Sequence, residues 1–217
     1  MGTVVHSDKT YCVPKGSIFD NLFLIRDLFN VSKLFNLDFG LVSLDQEKAF
    51  DRVDHGFLFR TLEAFGFGPV FISYIKMLYS NIFSLVKMNN CLSQPFPVQR
   101  RIRQGCSLSG MLYAISIEPL LHQLRERLAG LAIPALPSAQ PVRLSAYADD
   151  LNVFVTSDKD VAVLESCMRG FEGASSARVN RAKSGAFLAG SWLRKSPPSL
   201  PQMLEWNRTG LKVLGCT

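Results

Sequence analysis

The sequence contains no apolar run approaching the ~20 residues that a membrane span needs. Its longest candidates are cut by Arg26 and Asp27 or by Lys76. The first ten residues, Met1 to Thr10, hold no apolar signal core, which argues against secretion. The glycosylation-like triplets Asn30-Val31-Ser32 and Asn207-Arg208-Thr209 are therefore read as chance matches. Cysteine is scarce and unpaired. Cys12, Cys91, Cys106, Cys167 and Cys216 make an odd number, and no two stand as C-x-x-C. Close Cys/His pairs are missing too, which speaks against a zinc site. Free thiols in a reducing, intracellular compartment are the expectation, with no membrane partner. Internal repeats and low-complexity tracts are absent.

What is present is enough apolar material for a large core. Of 217 residues 47% are hydrophobic and only 19% charged, which excludes wholesale disorder and fits one large domain. Lys and Arg outnumber Asp and Glu by 24 to 18, for a net charge of +6. That balance suits either a polyanion partner or an ordinary basic protein. The cations fall in three groups: Arg100, Arg101 and Arg103; Arg178, Arg181 and Lys183; Arg194 and Lys195.

Periodicity predicts a helix from Phe19 to Phe35, then a strand from Phe39 to Asp45. In that strand Val42 and Leu44 face one side, and Leu41, Ser43 and Asp45 the other. Asp54 is a candidate N-cap for a helix ending at Gly66, and Pro69 suits the first turn of another reaching Tyr79. Ile82 to Met88 and Cys91 to Val98 flank Asn89-Asn90, a hairpin turn signal, with Pro95 and Pro97 marking the return strand as irregular. A long helix is expected over Ser107 to Leu128, bent at Pro119 and ended by Gly130. Pro134, Pro137 and Pro141 predict a loop. Strands over Val142 to Ala148 and Leu151 to Thr156 surround Asp149-Asp150, and a helix from Lys159 to Ser175 follows. Ala186 to Ala189 and Leu211 to Leu214 read as short final strands. The order predicts an α+β fold, an antiparallel sheet with helices packed on one face.

The chemistry concentrates in three segments. In Ala146-Tyr147-Ala148-Asp149-Asp150-Leu151 two adjacent carboxylates are flanked by apolar strand residues. Crowding like charges is unfavourable unless a cation or strong donors neutralise them, although Asp is also a common turn former. Asp45 ends another apolar strand. If the strands are neighbours, the three carboxylates suit two divalent ions held ~3.5–4 Å apart. Glu47, Asp51 and Asp54 read as surface acids or caps. The third segment, Arg101 to Gly110, is a basic, glycine-bearing loop entering a helix. It suits phosphate, or is simply a loop capped by Ser107 or Ser109.

Together these segments resemble a reverse transcriptase of the non-LTR (LINE-type) retrotransposon kind. Leu44 to Asp51 is similar to the family's first catalytic motif. Arg103-Gln104-Gly105-Cys106-Ser107-Leu108-Ser109 resembles its template and nucleotide motif, and Tyr147-Ala148-Asp149-Asp150 its catalytic hairpin. Val13 to Asn21 looks like the segment entering the palm from the fingers. Val179 to Ser184 resembles the later lysine motif, and Leu211 to Gly215 the start of the primer grip. The resemblance implies a right-hand polymerase palm that copies an RNA template by adding deoxynucleoside triphosphates to a DNA primer 3′ end. It implies that Asp45, Asp149 and Asp150 hold two Mg2+ ions, with Mn2+ as the substitute, Asp45 and Asp149 being the stronger direct-ligand candidates and Asp150 assisting. Phe50 would select deoxynucleotides by clashing with a 2′-OH. Arg103, Gln104 and Gly105 would line the nucleotide and template track, Tyr147 and Ala148 the primer terminus, and Lys183 the triphosphate.

The domain boundaries so implied are 1–36 for partial fingers and palm entry, 37–190 for the palm, and 191–217 for the start of the primer-grip region. The fingers ahead of Val13, the thumb and the family's endonuclease fall outside these residues. The chain is therefore expected to be a fragment of a longer polyprotein. Gly16 stands where many family members have arginine, and Lys15 is no bidentate substitute. The competing reading is a catalytically inactive remnant that binds nucleic acid non-specifically, with strong salt dependence. A two-metal nuclease ranks last, since it leaves the Arg103 to Ser109 loop unexplained. The family acts on chromosomal DNA, so a complete protein is expected in the nucleus.

Overall fold

The computed structural model describes residues 5–103, 105–193, 197–200 and 204–207. Helix α1 spans Ile18–Phe35 and begins in a capping box, where Ser17 accepts from the Phe19 amide and Asp20 accepts from the Ser17 amide. Strand β1 (Phe39–Leu44) follows. Three helices come next: α2 (Ala49–Arg52), α3 (His55–Ala64) and α4 (Pro69–Tyr79). Asp54 caps α3 as expected, its Oδ1 2.8 Å from the Phe57 amide, and Pro69 opens α4.

The expected hairpin is broken into two short pairs. Strands β2 (Phe83–Ser84) and β5 (Phe96–Pro97) pair at its base, and β3 (Lys87–Met88) and β4 (Cys91–Leu92) at its tip. Asn89 and Asn90 both take left-handed backbone, as a tight hairpin turn requires. Ser93 still bonds across to Val86, its amide donating to the Val86 carbonyl at 2.9 Å, and the ladder lapses at Gln94 and Pro95, because proline offers no amide to continue it.

Helix α5 (Ser109–Arg127) carries Pro119 within it, and β6 (Leu144–Tyr147), β7 (Asp150–Val155), α6 (Asp158–Ser175), β8 (Gly185–Ala189) and β9 (Trp206–Asn207) complete the order. The five-stranded sheet runs β6-β7-β1-β8-β9 and is antiparallel except for the β8–β9 pair. The residues that close Asp8 to Thr10 also bridge the free edge of β6 in parallel, with Thr10 donating to Ala146 and Ala146 donating to Asp8. Strand β9 was not expected from the sequence. The expected strand over 211–214 lies outside the described residues.

The alternation expected along β1 is what builds the core. Val42 and Leu44 join Leu151, Val153 and Val155 of β7 and meet α5 and α6 through Leu120, Leu121, Leu124, Leu164 and Phe171. This face carries the predicted helix layer. The other face is not bare, however. Phe39, Leu41 and Phe154 make its far half apolar, and Ile25 and Leu28 of α1 cover them. The near half is polar, with Ser43 and Ser145 both opposite Asn152. There α1 contributes Asn21, whose Nδ2 donates to Ser145 at 2.6 Å. A third cluster, around Leu58, Leu62, Ile75 and Leu112, joins α3 and α4 to the first turns of α5. Among the described residues no helix is long and apolar enough to cross a membrane.

Gly40, inside β1, makes room for the Trp206 ring, which would overlap a Cβ placed there; Val155 lies 3.1 Å from the same point. Gly40→Ala is therefore expected to displace Trp206, whose indole otherwise donates to the Pro198 carbonyl at 2.7 Å. The predicted loss is about 1–3 kcal/mol of stability. Urea unfolding measures it, and an unchanged midpoint would refute this packing role.

Candidate active site

Strand register brings the predicted acids together. Leu44 lies across from Leu151 and Ser43 across from Asn152, so the next step sets Asp45 beside Asp150, both on the face carrying Ser43. The backbone of Asp45 is fixed on both sides. Its amide donates to the Ser184 hydroxyl at 3.1 Å, while its carbonyl accepts the Asn180 amide at 2.8 Å. Tyr147 pairs with Asp150, leaving Ala148 and Asp149 as a two-residue turn. Ala148 sits at φ 50°, a left-handed conformation that side-chain-bearing residues resist.

Electrostatics report the crowding. The Asp150 carboxyl is pushed up to about 6, first by burial, then by Asp149 and Asp45. The Tyr113 phenol is held well above its ordinary value by burial, with Asp149, Asp150 and Asp45 adding to the effect. The three carboxylates thus share one field, and a set made only of oxygen donors suits a hard divalent ion. As the side chains stand, no three His, Cys, Asp or Glu residues among those described are grouped closely enough to hold an ion. The donor chemistry fits magnesium, and the arrangement is an open cluster rather than a closed cage.

Phe50, in α2, lies half-buried with its ring stacked on Tyr113 at 4.6 Å between centroids. The Phe50 carbonyl accepts the Ile102 amide at 2.7 Å and the Val53 carbonyl accepts the Arg101 amide at 3.0 Å. Those two bonds fasten the basic loop beside the first motif. Arg103 and Gly105 are exposed, Gly105 has φ 82°, and Ser109 ties the loop by donating to the Arg103 carbonyl. Gln104 lies outside the described residues. Lys183 is exposed in the turn after Val179. The acids read as ordinary behave so: Glu47 pairs with Arg52 at 2.9 Å and Asp51 with Arg101 at 3.2 Å.

Three residues near the site carried no motif. Tyr11 meets Tyr147 edge-on at 5.4 Å, and its phenol is raised by burial and by the Cys12 side chain, with Asp149 contributing. Tyr113 supports Phe50. Lys9 is fully buried, its Nζ 5.3 Å from the Tyr113 ring centre and without a hydrogen-bond partner among the described residues. Nearby Glu118 is also buried and bonded to Arg125 at 2.7 Å, which in turn holds Asp8 at 2.6 Å. Only the edge pairing of Asp8 to Thr10 with β6 delivers Lys9 there, and nothing local in the sequence signals that. Gly16 has a structural reason as well: a Cβ there would fall on the Thr10 carbonyl oxygen, so an arginine at this position requires the segment to move.

Comparison with known proteins gives the family and the fold. The family model for reverse transcriptase (RNA-dependent DNA polymerase) matches residues 11–217. The chain is 44% identical over 215 residues to the Transposon TX1 uncharacterized 149 kDa protein of Xenopus laevis, covering 99% of this chain and 16% of that one. It is 25% identical over 189 residues to the Retrovirus-related Pol polyprotein from type-2 retrotransposable element R2DM of Drosophila melanogaster, covering 79% of this chain and 17% of that one. The chain thus spans about a sixth of the length of these relatives. Among solved structures, apo telomerase from Candida Tropicalis superposes with a TM-score of 0.59 at 14% identity, over 80% of this chain and 35% of the other. The Candida Tropicalis telomerase with a TWJ fragment of telomeric RNA gives 0.59 at 13% identity, over 89% and 31%. These likenesses show the fold, a right-hand polymerase palm.

The Lys9 amine provides a test of the buried network. Burial lowers it from 10.5 to about 7 despite the opposing pull of Glu118. Between those values the unfolded chain binds more protons than the folded one, so stability rises with pH. The slope from this one group approaches about 1.4 kcal/mol per pH unit. Lys9→Met removes it. Urea unfolding from about pH 7.5 to 9.5 should show the parent gaining stability relative to Lys9→Met; parallel profiles would contradict the buried placement.

Proposed function

Because this chain belongs to the reverse transcriptase (RNA-dependent DNA polymerase) family, we propose that it forms the catalytic palm of a non-LTR retrotransposon polymerase. In this reading residues 37–190 are the palm, 1–36 the entry from the fingers, and 191–217 the approach to the primer grip. The observation that carries the proposal is the β1–β7 register, which sets Asp45 beside Asp150 with Asp149 in the adjoining turn. The substrates are an RNA template, a DNA primer and deoxynucleoside triphosphates.

Asp45 and Asp149, assisted by Asp150, would hold two magnesium ions, or manganese in their place. When bound, the metal supplies a lowered pKa for the primer 3′ hydroxyl and charge neutralisation at the leaving pyrophosphate. The chain's own residues do the positioning. Phe50, braced from behind by Tyr113, presents a ring edge that excludes a 2′-OH. Tyr147, braced by Tyr11, lies beside the primer end. The loop of Arg103, Gln104 and Gly105 offers donors to the template and nucleotide, and Lys183 stands toward the triphosphate. On this reading the complete protein would act in the nucleus, with chromosomal DNA as the source of primer.

Two experiments test the reading. Primer extension on a primed RNA template with magnesium should fall by roughly a thousandfold in Asp149→Asn, reflecting several kcal/mol of lost transition-state stabilisation. Extension at the parental rate would refute the acid assignment. A folded parent that never extends primers, yet binds RNA in a salt-dependent way, would favour the non-catalytic remnant. Separately, Phe50→Val should raise ribonucleotide use relative to deoxynucleotide use by roughly tenfold or more. The ratio, rather than the rate, is the readout, because the substitution also removes packing against Tyr113.

A further inference from the structure

The turn after Asp45 has two sides, and the acids occupy only one. Residues 178–180 run alongside it: the Glu47 amide donates to the Arg178 carbonyl at 2.8 Å, Gln46 bridges Val179, and the Asn180 amide reaches Asp45. Asp45 belongs to the open face of the sheet. The end of α6, where Phe171 packs into the helix-side core, belongs to the other.

On that helix side four arginines converge. Arg52 of α2, Arg100 just ahead of the basic loop, and Arg178 and Arg181 of the segment after α6 line one cavity of about 470 Å³. That volume lies within the range of small-ligand sites. The nearby carboxylates offset only part of the charge. Glu47 is paired with Arg52, and Glu172, whose carboxylate also accepts the Val179 amide at 2.8 Å, lines the cavity. The C-terminal carbonyls of α6 add about half a negative charge more; even with Arg181 set aside, Arg100 and Arg178 exceed Glu172 and these carbonyls. Arg52 also has a buried Nε with no acceptor among the described residues. Such an unsatisfied donor gains a partner when an anion draws the guanidinium toward the cleft. Guanidinium forks match phosphate oxygens in pairs, which makes an oligophosphate the fitting occupant.

We propose that this cleft is a second anion site, which takes a free diphosphate or triphosphate on the side of the Asp45 turn away from the acids. Pyrophosphate is the natural occupant, since polymerisation releases it next to Asp45; only this identification rests on the polymerase reading. Phosphates of a nucleic-acid strand share the chemistry, and the test separates the two sources.

Isothermal titration of the metal-free protein with sodium pyrophosphate should show one saturable site. The double substitution Arg178→Ala with Arg181→Ala should weaken it by about tenfold or more. Both side chains are exposed, so the fold should survive, as circular dichroism would verify. Arg100→Glu, on a separate segment, should weaken binding as well. Asp149→Asn and Arg169→Ala, outside the cleft, should leave it unchanged. No saturable binding by the parent, or equal binding by the double variant, would overturn the proposal. It would also fail if the double variant lost affinity for an oligodeoxynucleotide while keeping pyrophosphate, which would assign the cleft to a strand backbone. None of these readouts requires polymerase activity, so the outcome stands whether or not the chain extends primers.

Discussion

Side chains alternate across a strand, so slipping β7 by one residue against β1 would send Asp150 to the helix side and Leu151 out of the core. The pairing of Leu44 with Leu151 is therefore the constraint on which the acid site depends. What enforces it is apolar. Val42, Leu44, Leu151, Val153 and Val155 are all buried against α5 and α6. At roughly 2 kcal/mol per side chain their burial amounts to about 10 kcal/mol. Two carboxylates 4 Å apart repel by about 4 kcal/mol at an effective dielectric of 20. The core outweighs the repulsion, and so it can hold like charges together that would separate if left to themselves.

The same face changes character along its length, which explains how one sheet can be both covered and open. Its far half is ringed by aromatics: Phe39 lies 5.1 Å from Phe29 of α1 and 5.9 Å from Phe154. Its near half, with Ser43, Ser145 and Asn152, meets α1 through the polar contact of Asn21. Asp45 and Asp150, at the end of this polar half, are only half-buried. Substrate access, in the polymerase reading, follows from where the strands stop being apolar.

Beneath the acids the structure keeps several polar groups in unfavourable states. Lys9, the Tyr113 hydroxyl and one Glu118 oxygen are buried without hydrogen-bond partners among the described residues, and Ala148 holds a left-handed turn. Each such feature is destabilising by itself, by about 1–3 kcal/mol. They cluster around the Asp149–Asp150 turn and the Phe50–Tyr113 stack, where the chemistry is proposed to occur. Positions that break local rules while the surrounding core over-determines them are where a fold stores functional geometry.

Much of this was legible in the residues alone. The strand at Phe39, the Asp54 cap, the Pro69 start and the hairpin around Asp149 are short-range patterns, because turns, caps and alternation are decided by neighbours within a few positions. The three motifs could be read for the same reason. The sequence by itself determined which carboxylates were available and which element carried each. Tertiary structure alone decided that Tyr113 backs Phe50, that Lys9 lies buried beside it, that α1 covers half of the open face, and that four arginines from three segments share one cleft. Those pairings join residues far apart in the chain. Their partners are chosen by strand register and helix packing, long-range contacts whose free energy depends on the whole core and leaves no periodic trace in the local sequence.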